Sequence, residues 1–438
     1  MPDATIFALG SGAGRAAVAL LRISGPGTAD VVTALAGALP RPRHASLRRL
    51  RDPRTAEVLD QALLLWFPGP ASYTGEDSAE LHLHGGPAVI AGVAEALVAA
   101  GARPAEPGEF TRRAFLHGRM DLTEAEGIAD LIAAETAAQR RQALRQAGGA
   151  LATLYGGWTT RLTALLARQE AFIEFEDEDL PAGLDDAVAL AGAALRAEIV
   201  AHLADAGRGE RLREGLLVAI LGAPNVGKSS LLNALAGREA AIVSARAGTT
   251  RDVVEVRLNL AGVPVTLADT AGLRAAADEI EAEGVRRAHR RAEEADLVIA
   301  VFAADATPDA ETLAWVRPGV LVLANKLDLA PAPPAIGGVM PLGLSVRTGA
   351  GLDKLRDRLE EEAAARAGFA GEVMLTRPRH RAALAEAADW LAELDTAALP
   401  ELRAEALRAA LRAIGRITGR VGVEVVLDAV FGEFCIGK

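Results

Sequence analysis

The chain is short of cysteine, of lysine, of long apolar runs and of positive charge, and each shortage narrows what it can be. One cysteine, Cys435, in 438 residues excludes an intramolecular disulfide and suits a reducing compartment. No apolar run approaches the roughly 18 residues that a membrane-spanning helix needs. The best, 215–222 and 297–304, are of strand length. The N-terminus has no basic segment followed by an apolar one, so no secretion signal is expected. A cytoplasmic protein without a membrane partner is the expectation. The formal net charge is −11. Phosphate neutralisation dominates nucleic-acid affinity, so any RNA role requires a local basic patch or a basic partner. Of the 47 basic residues only Lys228, Lys326, Lys354 and Lys438 are lysines.

Half the residues are hydrophobic, enough for substantial cores, and the length suits about two to four domains at ~100–200 residues each. Residues 1–118 read as mixed α/β: apolar segments Thr5–Leu9, Ala17–Ile23, Ala62–Phe67 and Ser78–Leu83 alternate with Gly- and Pro-rich turns and one helical stretch, Val89–Ala100. From Met120 the pattern turns helical. Thr123 with Glu126 suggests a capping box, and apolar residues recur at helical spacing from Ile128 to Ile173. The acidic patch 174–179 and Pro181 end this run, a helix over about 185–203 follows, and 206–215 reads as a polar linker. Between Leu216 and about Ala370 the rhythm is strand, loop, helix, with apolar strands at Leu216–Leu221, Val263–Ala268, Leu297–Phe302 and Gly319–Leu323. That implies a mostly parallel sheet with crossover helices. The last ~65 residues return to helix. The expected architecture is a multidomain one, α/β plus all-α: an N-terminal α/β domain (1–118), a discontinuous helical domain (119–210 and 372–438), and a Ras-like P-loop G domain inserted at 211–371.

Gly222-Ala-Pro-Asn-Val-Gly-Lys-Ser229 follows an apolar strand and precedes a helical segment, the context a phosphate-binding loop requires. Its backbone N–H groups and the helix N-terminus would hold phosphate, Lys228 would neutralise the β/γ charge, and Ser229 would ligate Mg²⁺. Gly248-Thr-Thr-Arg-Asp252 supplies Thr250 as second Mg²⁺ ligand. Asp269-Thr-Ala-Gly272 ends a strand near the metal and the γ-phosphate. Asn325-Lys-Leu-Asp328 ends another, and there Asp328 can accept two hydrogen bonds from the guanine N1–H and exocyclic amine, which adenine cannot donate. Ser345-Val-Arg347 would close over the base. The expected nucleotide contacts are Asn225, Val226, Gly227, Lys228, Ser229 and Ser230; Ser244, Ala245, Arg246, Ala247, Gly248, Thr249 and Thr250; Asp269, Thr270, Ala271 and Gly272; and Asn325, Lys326, Asp328, Ser345, Val346 and Arg347. GTP is the expected substrate. Many signalling GTPases place a water-orienting glutamine after the Asp-x-x-Gly motif; here that residue is Leu273. The carboxylates of Asp278-Glu-Ile-Glu-Ala-Glu283 could serve instead, or form a solvated helix face.

These motifs, with Leu21-Arg-Ile-Ser-Gly25, Glu80-Leu-His-Leu-His-Gly-Gly86, Pro107-Gly-Glu-Phe-Thr-Arg112, Asp121-Leu-Thr-Glu-Ala-Glu126 and the terminal Cys435-Ile-Gly-Lys438, resemble the MnmE (TrmE) family of tRNA-modifying GTPases over essentially the whole chain. The resemblance implies a potassium-activated GTPase whose G domains dimerise on binding GTP. K⁺ would be held by Asn225, Ser244, Arg246 and Thr249, and Glu281 would be the catalytic glutamate that orients water. It implies an N-terminal domain that forms a constitutive homodimer and binds 5-formyl- or 5,10-methylene-tetrahydrofolate through Arg22, Glu80, Arg119 and Lys438. Lysine is more usual at the position of Arg119. It further implies a flavin-containing partner, MnmG, in a heterotetramer that holds much of the tRNA, and addition of a carboxymethylaminomethyl or aminomethyl group to the wobble uridine. Cys435 reads either as a reactive thiol near the folate carbon or as a small apolar residue of a docked tail. His82 and His84 read as structural or folate-adjacent. The rival is a ribosome-assembly GTPase switch like the Era or Der families, which needs an RNA-binding module after the G domain.

Overall fold

The computed structural model describes residues 4–12, 14–174, 184–205, 207–238, 255–269, 290–368, 373–397, 399–421, 427, 430–432, 434 and 437. They fall into two compact units, one of residues 1–129, 146–164 and 411–438 and the other of 130–145 and 165–410.

The first unit holds a six-stranded sheet of β1 (Ile6–Leu9), β2 (Ala16–Ser24), β3 (Ser46–Arg51), β4 (Val58–Phe67), β5 (Ser78–Gly85) and β6 (Arg103–Pro104), in the order β3-β4-β5-β2-β1-β6. Neighbours are antiparallel except β1 and β6, which run parallel. Side chains alternate across a strand. Leu21, Ile23, Leu81 and Leu83 therefore point into a core closed by helices Thr28–Ala36 and Pro87–Ala99, and Arg22, Glu80 and His82 are left on the opposite face. The sequence reading missed β3, because Ser-Leu-Arg-Arg-Leu-Arg buries only Leu50 and resembles a surface loop.

Helix Leu122–Ala133 is capped two residues earlier than the expected box. Asp121 is the cap: its Oδ1 accepts from the Glu124 N–H (2.9 Å), and Glu124 Oε2 accepts from the Asp121 N–H (2.7 Å). This reciprocal pair satisfies two donors at the helix start. Thr123 and Glu126, the pair expected to cap, are both buried within the helix. The single long run expected to 173 divides into helices Leu122–Ala133, Ala137–Ala147 and Ala150–Glu174. At the other end of the chain, Phe431 contacts Phe115 (6.3 Å between ring centres) and Phe434 (5.8 Å).

The second unit carries a sheet of β7 (Leu216–Leu221), β8 (Glu255–Leu260), β9 (Val263–Asp269), β10 (Leu297–Ala303), β11 (Leu321–Asn325) and β12 (Leu342–Gly343), ordered β12-β11-β10-β7-β9-β8. Only β8 runs antiparallel. The central strands are covered on both faces, which is why they read as unbroken apolar runs. Helices Lys228–Arg238 and Leu352–Ala367 supply Leu231, Leu232, Leu235, Leu355 and Leu359 to one face. Because β7, β9 and β11 are parallel, the segments leaving all three emerge at one edge, where ligands bind such sheets.

Helices on either side of this sheet in sequence pack together within the unit. Arg196 Nε donates to the Ala388 carbonyl (3.1 Å), linking helix Leu184–Leu203 to helix Pro378–Ala392, and Gln169 Nε2 donates to the Pro400 carbonyl (3.3 Å). Against the expectation of no long apolar run, the stretch Ala187–Glu214 contains a window long and apolar enough to cross a membrane by composition, with mean hydropathy 1.5. Val188, Leu195 and Ile199 of that stretch are buried, as in a helix that packs on its neighbours. The expected linker is also corrected: Arg208–Glu214 is a helix with Leu212 fully buried. Seven residues with one apolar anchor show no period to detect. Its arginines are bonded, Arg211 to Asp296 (3.2 Å) and Arg213 to Asp130 (3.0 Å), and Asp130 also accepts from Arg377 (2.9 Å).

Candidate functional site: a phosphate loop joined to a base-reading pocket

The turn after β7 places Asn225 at φ 64° and Gly227 at φ 99° before helix Lys228–Arg238. Gly227 is required twice over: the left-handed backbone favours glycine, and a Cβ there would sit 2.4 Å from Asn325 Nδ2. That close approach joins the two halves of the site. Asn325, nearly fully buried at the end of β11, donates from Nδ2 to the Val226 carbonyl (2.8 Å), and its Oδ1 accepts from the Val346 N–H (3.1 Å). One amide therefore ties the phosphate loop to both base-reading segments, so three motifs far apart in sequence converge.

Lys228 is 5% exposed, and its Nζ donates to the carbonyls of Gly222 (2.6 Å) and Ala223 (2.9 Å). The chain thus curls around its own cation, the shape a phosphate cradle needs. Ser229 and Ser230 follow at the helix start, with exposed side chains. Asp269 ends β9 in register with Ile220 of β7, two residues before Gly222, so its backbone lies at the same edge as Ser229. Ser229 offers an exposed hydroxyl at that edge, an oxygen ligand of the kind Mg²⁺ takes. Lys326 at φ 68° pairs with Asp305 (3.3 Å). Asp328 Oδ1 accepts from the Ser345 hydroxyl (2.5 Å), and Oδ2 accepts from Arg347 Nε (2.7 Å). Hydrogen bonds from Ser345 and then Arg347 hold the Asp328 carboxyl below its ordinary value. Ser244, Ala245, Arg246, Ala247, Gly248, Thr249, Thr250, Thr270, Ala271, Gly272 and Glu281 lie outside the described residues.

In the first unit, Arg22 and Glu80 are register partners on β2 and β5, and Arg22 Nη2 bonds Glu80 Oε1 (3.0 Å). The guanidinium also rides over the rings of Tyr73 (5.4 Å) and Phe110 (5.9 Å). His82 Nε2, buried without a hydrogen-bond partner among the described residues, lies 3.9 Å from Glu80 Oε2. A charged pair, two aromatic faces and an unmet ring nitrogen fit a flat heteroaromatic ligand such as a pterin. Arg119 is exposed, and its side chain flanks Gly75, two residues from Tyr73. His84 is structural: its Nδ1 bonds Asp60 Oδ1 (2.7 Å). Burial would raise the Asp60 carboxyl, but bonds from the His84 ring and amide outweigh it and lower it. Cys435 and Lys438 lie outside the described residues. Gly437 between them docks on β1, since a Cβ there would fall 2.5 Å from the Leu9 carbonyl. The sequence reading missed Tyr73 and Phe110; the Glu-Phe-Thr-Arg motif it noted around Phe110 was the available signal.

Beside this face a cleft of about 930 Å³ is lined by Arg103, Glu109, Arg112, Arg113 and Phe431 among others. Arg113, buried, bonds Glu76 (3.1 Å) and Glu109 (2.8 Å). Burial would raise the Glu109 carboxyl, but hydrogen bonds from Arg103, the Glu106 amide and Arg113 lower it from 4.5 to about 2. Its stabilising contribution is therefore fully present above pH 4.5 and lost as pH falls towards 2. With solvent at the cleft mouth screening part of the interaction, Glu109→Gln should cost about 1–2 kcal/mol of unfolding free energy at pH 7. The deficit should shrink when denaturant unfolding is repeated at pH 3. Equal stabilities of the two proteins at pH 7 would contradict this.

With this geometry in hand, comparison with known proteins is decisive. A family model described as the MnmE helical domain matches residues 122–435, and one described as the GTP-binding protein TrmE N-terminus matches 5–119. The chain belongs to the MnmE family. A relative from Gluconacetobacter diazotrophicus, named tRNA modification GTPase MnmE, is 62% identical over 99% of this chain and 98% of its own length. One of the same name from Granulibacter bethesdensis is 56% identical over the full length of both. Among solved structures, the G domain of the T. maritima FeoB iron transporter aligns with 34% of this chain and 98% of its own at 26% identity. Its TM-score is 0.25, too low to bear on the fold.

Proposed function

We propose that this chain is a potassium-activated GTP hydrolase of tRNA modification. With a flavin-containing partner of the MnmG kind, it adds a carboxymethylaminomethyl or aminomethyl group to C5 of the wobble uridine, using a folate one-carbon donor. The observation that carries the nucleotide half is Asn325, whose amide joins the Gly222–Ser229 loop to the segment bearing Asp328 and Ser345. The tRNA half rests on family membership and the names of relatives that match end to end.

In this reading the loop amides and Lys228 grip the triphosphate, and Asp328 selects guanine. Ser229 and Thr250 would hold Mg²⁺, and Asn225, Ser244, Arg246 and Thr249 would hold K⁺. Cations held by these residues would supply positive charge against the negative charge that develops on the transferring phosphoryl group. Glu281 orients the attacking water, the task a glutamine performs where this chain has Leu273. Arg22, Glu80, Arg119 and Lys438 bind the folate. The protein works in the cytoplasm as a homodimer within a heterotetramer, and its acidic balance leaves much of the tRNA surface to the partner.

Glu281→Ala should retain GTP binding while turnover falls on the order of 10²-fold, the scale of losing one transition-state hydrogen bond; unaltered turnover would remove Glu281 from the mechanism. Hydrolysis in KCl should greatly exceed that in NaCl at equal ionic strength, and equal rates would exclude the cation. The function itself is tested by digesting tRNA from cells with and without the gene and reading wobble-uridine nucleosides by mass spectrometry. Loss of the 5-aminomethyl-type uridines, restored by the intact gene, is expected. Unchanged nucleosides would leave GTP hydrolysis standing and favour the ribosome-assembly reading.

A further inference from the structure

The base-selecting carboxylate is already engaged by a side chain of this chain. Arg347 approaches Asp328 with two donors, Nε at 2.7 Å and Nη2 at 2.6 Å, both on Oδ2. Ser345 holds Oδ1 at 2.5 Å, and the Thr348 N–H braces the Ser345 oxygen at 3.3 Å. The Asp328 side chain is 10% exposed and that of Arg347 72%, so the acceptor is fixed in the fold while its partner reaches in from solvent. A guanidinium presents two adjacent N–H donors in a plane. The Watson–Crick edge of guanine presents the same pattern, N1–H beside the 2-amino group, and adenine does not. Guanine and Arg347 therefore compete for one carboxylate.

We propose that Arg347 is an internal guanine mimic, which pairs with Asp328 and must be displaced before the base can bond. The proposal rests on the guanine-nucleotide reading of this site and adds a step to it. Displacement sets the fraction of molecules competent to receive the base, and apparent affinity scales with that fraction. An ion pair this exposed is weak, so the fraction is reduced by a small factor, about two- to fivefold. A contact that must break before binding slows association. The bound complex no longer contains this contact, so its effect falls on association.

The test is stopped-flow binding of a fluorescent GDP to the full-length protein, its Arg347→Ala variant and its Arg347→Lys variant. Association to Arg347→Ala should be about two- to fivefold faster than to the parent. Arg347→Lys, which keeps the charge but not the paired donors, should fall between them. Unchanged or slower association in Arg347→Ala overturns the proposal. So does faster dissociation, which would mean that Arg347 holds the bound base. If the parent protein binds no GDP, the guanine reading of the site fails first and the mimic falls with it.

Discussion

Asp328→Asn is expected to weaken GTP and GDP binding on the order of 10²–10³-fold, while xanthosine nucleotides lose far less or gain. Guanine offers two N–H donors to the carboxylate, and an asparagine in its place presents one acceptor and one unwelcome donor. Hydrogen bonds to a charged acceptor are the stronger kind, and a buried group left unmatched adds its own cost. Xanthine carries a carbonyl where guanine carries the amine, which the asparagine N–H can meet. The fold should survive, because Ser345 Oγ still accepts from the Thr348 N–H on its own loop and Asn325, not Asp328, joins the motifs. Competition of labelled GDP by GTP, ITP and XTP reads the result. Equal affinity of parent and variant for GTP would remove Asp328 from base recognition.

Lys228→Ala should abolish measurable turnover, a fall on the order of 10³-fold or more, the scale of losing a preorganised charge at a phosphoryl-transfer site. Two effects add. The cation that would meet the β- and γ-phosphates is gone, and the carbonyls of Gly222 and Ala223, which accept from its Nζ, lose the contact that curls the loop. Nucleotide binding should weaken with turnover. Thermal unfolding monitored alongside separates loss of chemistry from loss of fold, since Leu231, Leu232 and Leu235 anchor the helix independently. A variant that hydrolyses GTP within tenfold of the parent would refute the role.

Much of the second unit was legible because its physics is local. Strands covered on both faces must be apolar throughout, so β7 matched its expected limits and β9, β10 and β11 were found within a residue or two. The strands that escaped have other reasons to look polar. Glu255–Leu260 lies at the sheet edge and buries only Leu258 and Leu260, and Ser46–Arg51 faces solvent along most of its length. The helix cap was misplaced by two residues because Asp121-Leu-Thr-Glu124 and Thr123-Glu-Ala-Glu126 carry overlapping signatures. Burial of Thr123 and Glu126, not spacing, decided between them.

By itself the sequence determined that a phosphate loop follows an apolar strand, that a guanine-reading motif ends another, and that the chain is a member of the MnmE family. Such motifs are short, and their chemistry lies in consecutive residues. Tertiary structure alone decided which of those residues meet. Asn325 reaches Val226 across 99 residues and Arg22 reaches Glu80 across 58, distances over which composition and periodicity carry no information. Strand register made the second pair: with side chains alternating faces, a slip of one residue would have sent Glu80 into the core and Leu81 to Arg22. Parallel strand order made the first, by bringing the ends of β7 and β11 to one edge of the sheet, and the pairing of Arg347 with Asp328 followed from the loop that edge supports.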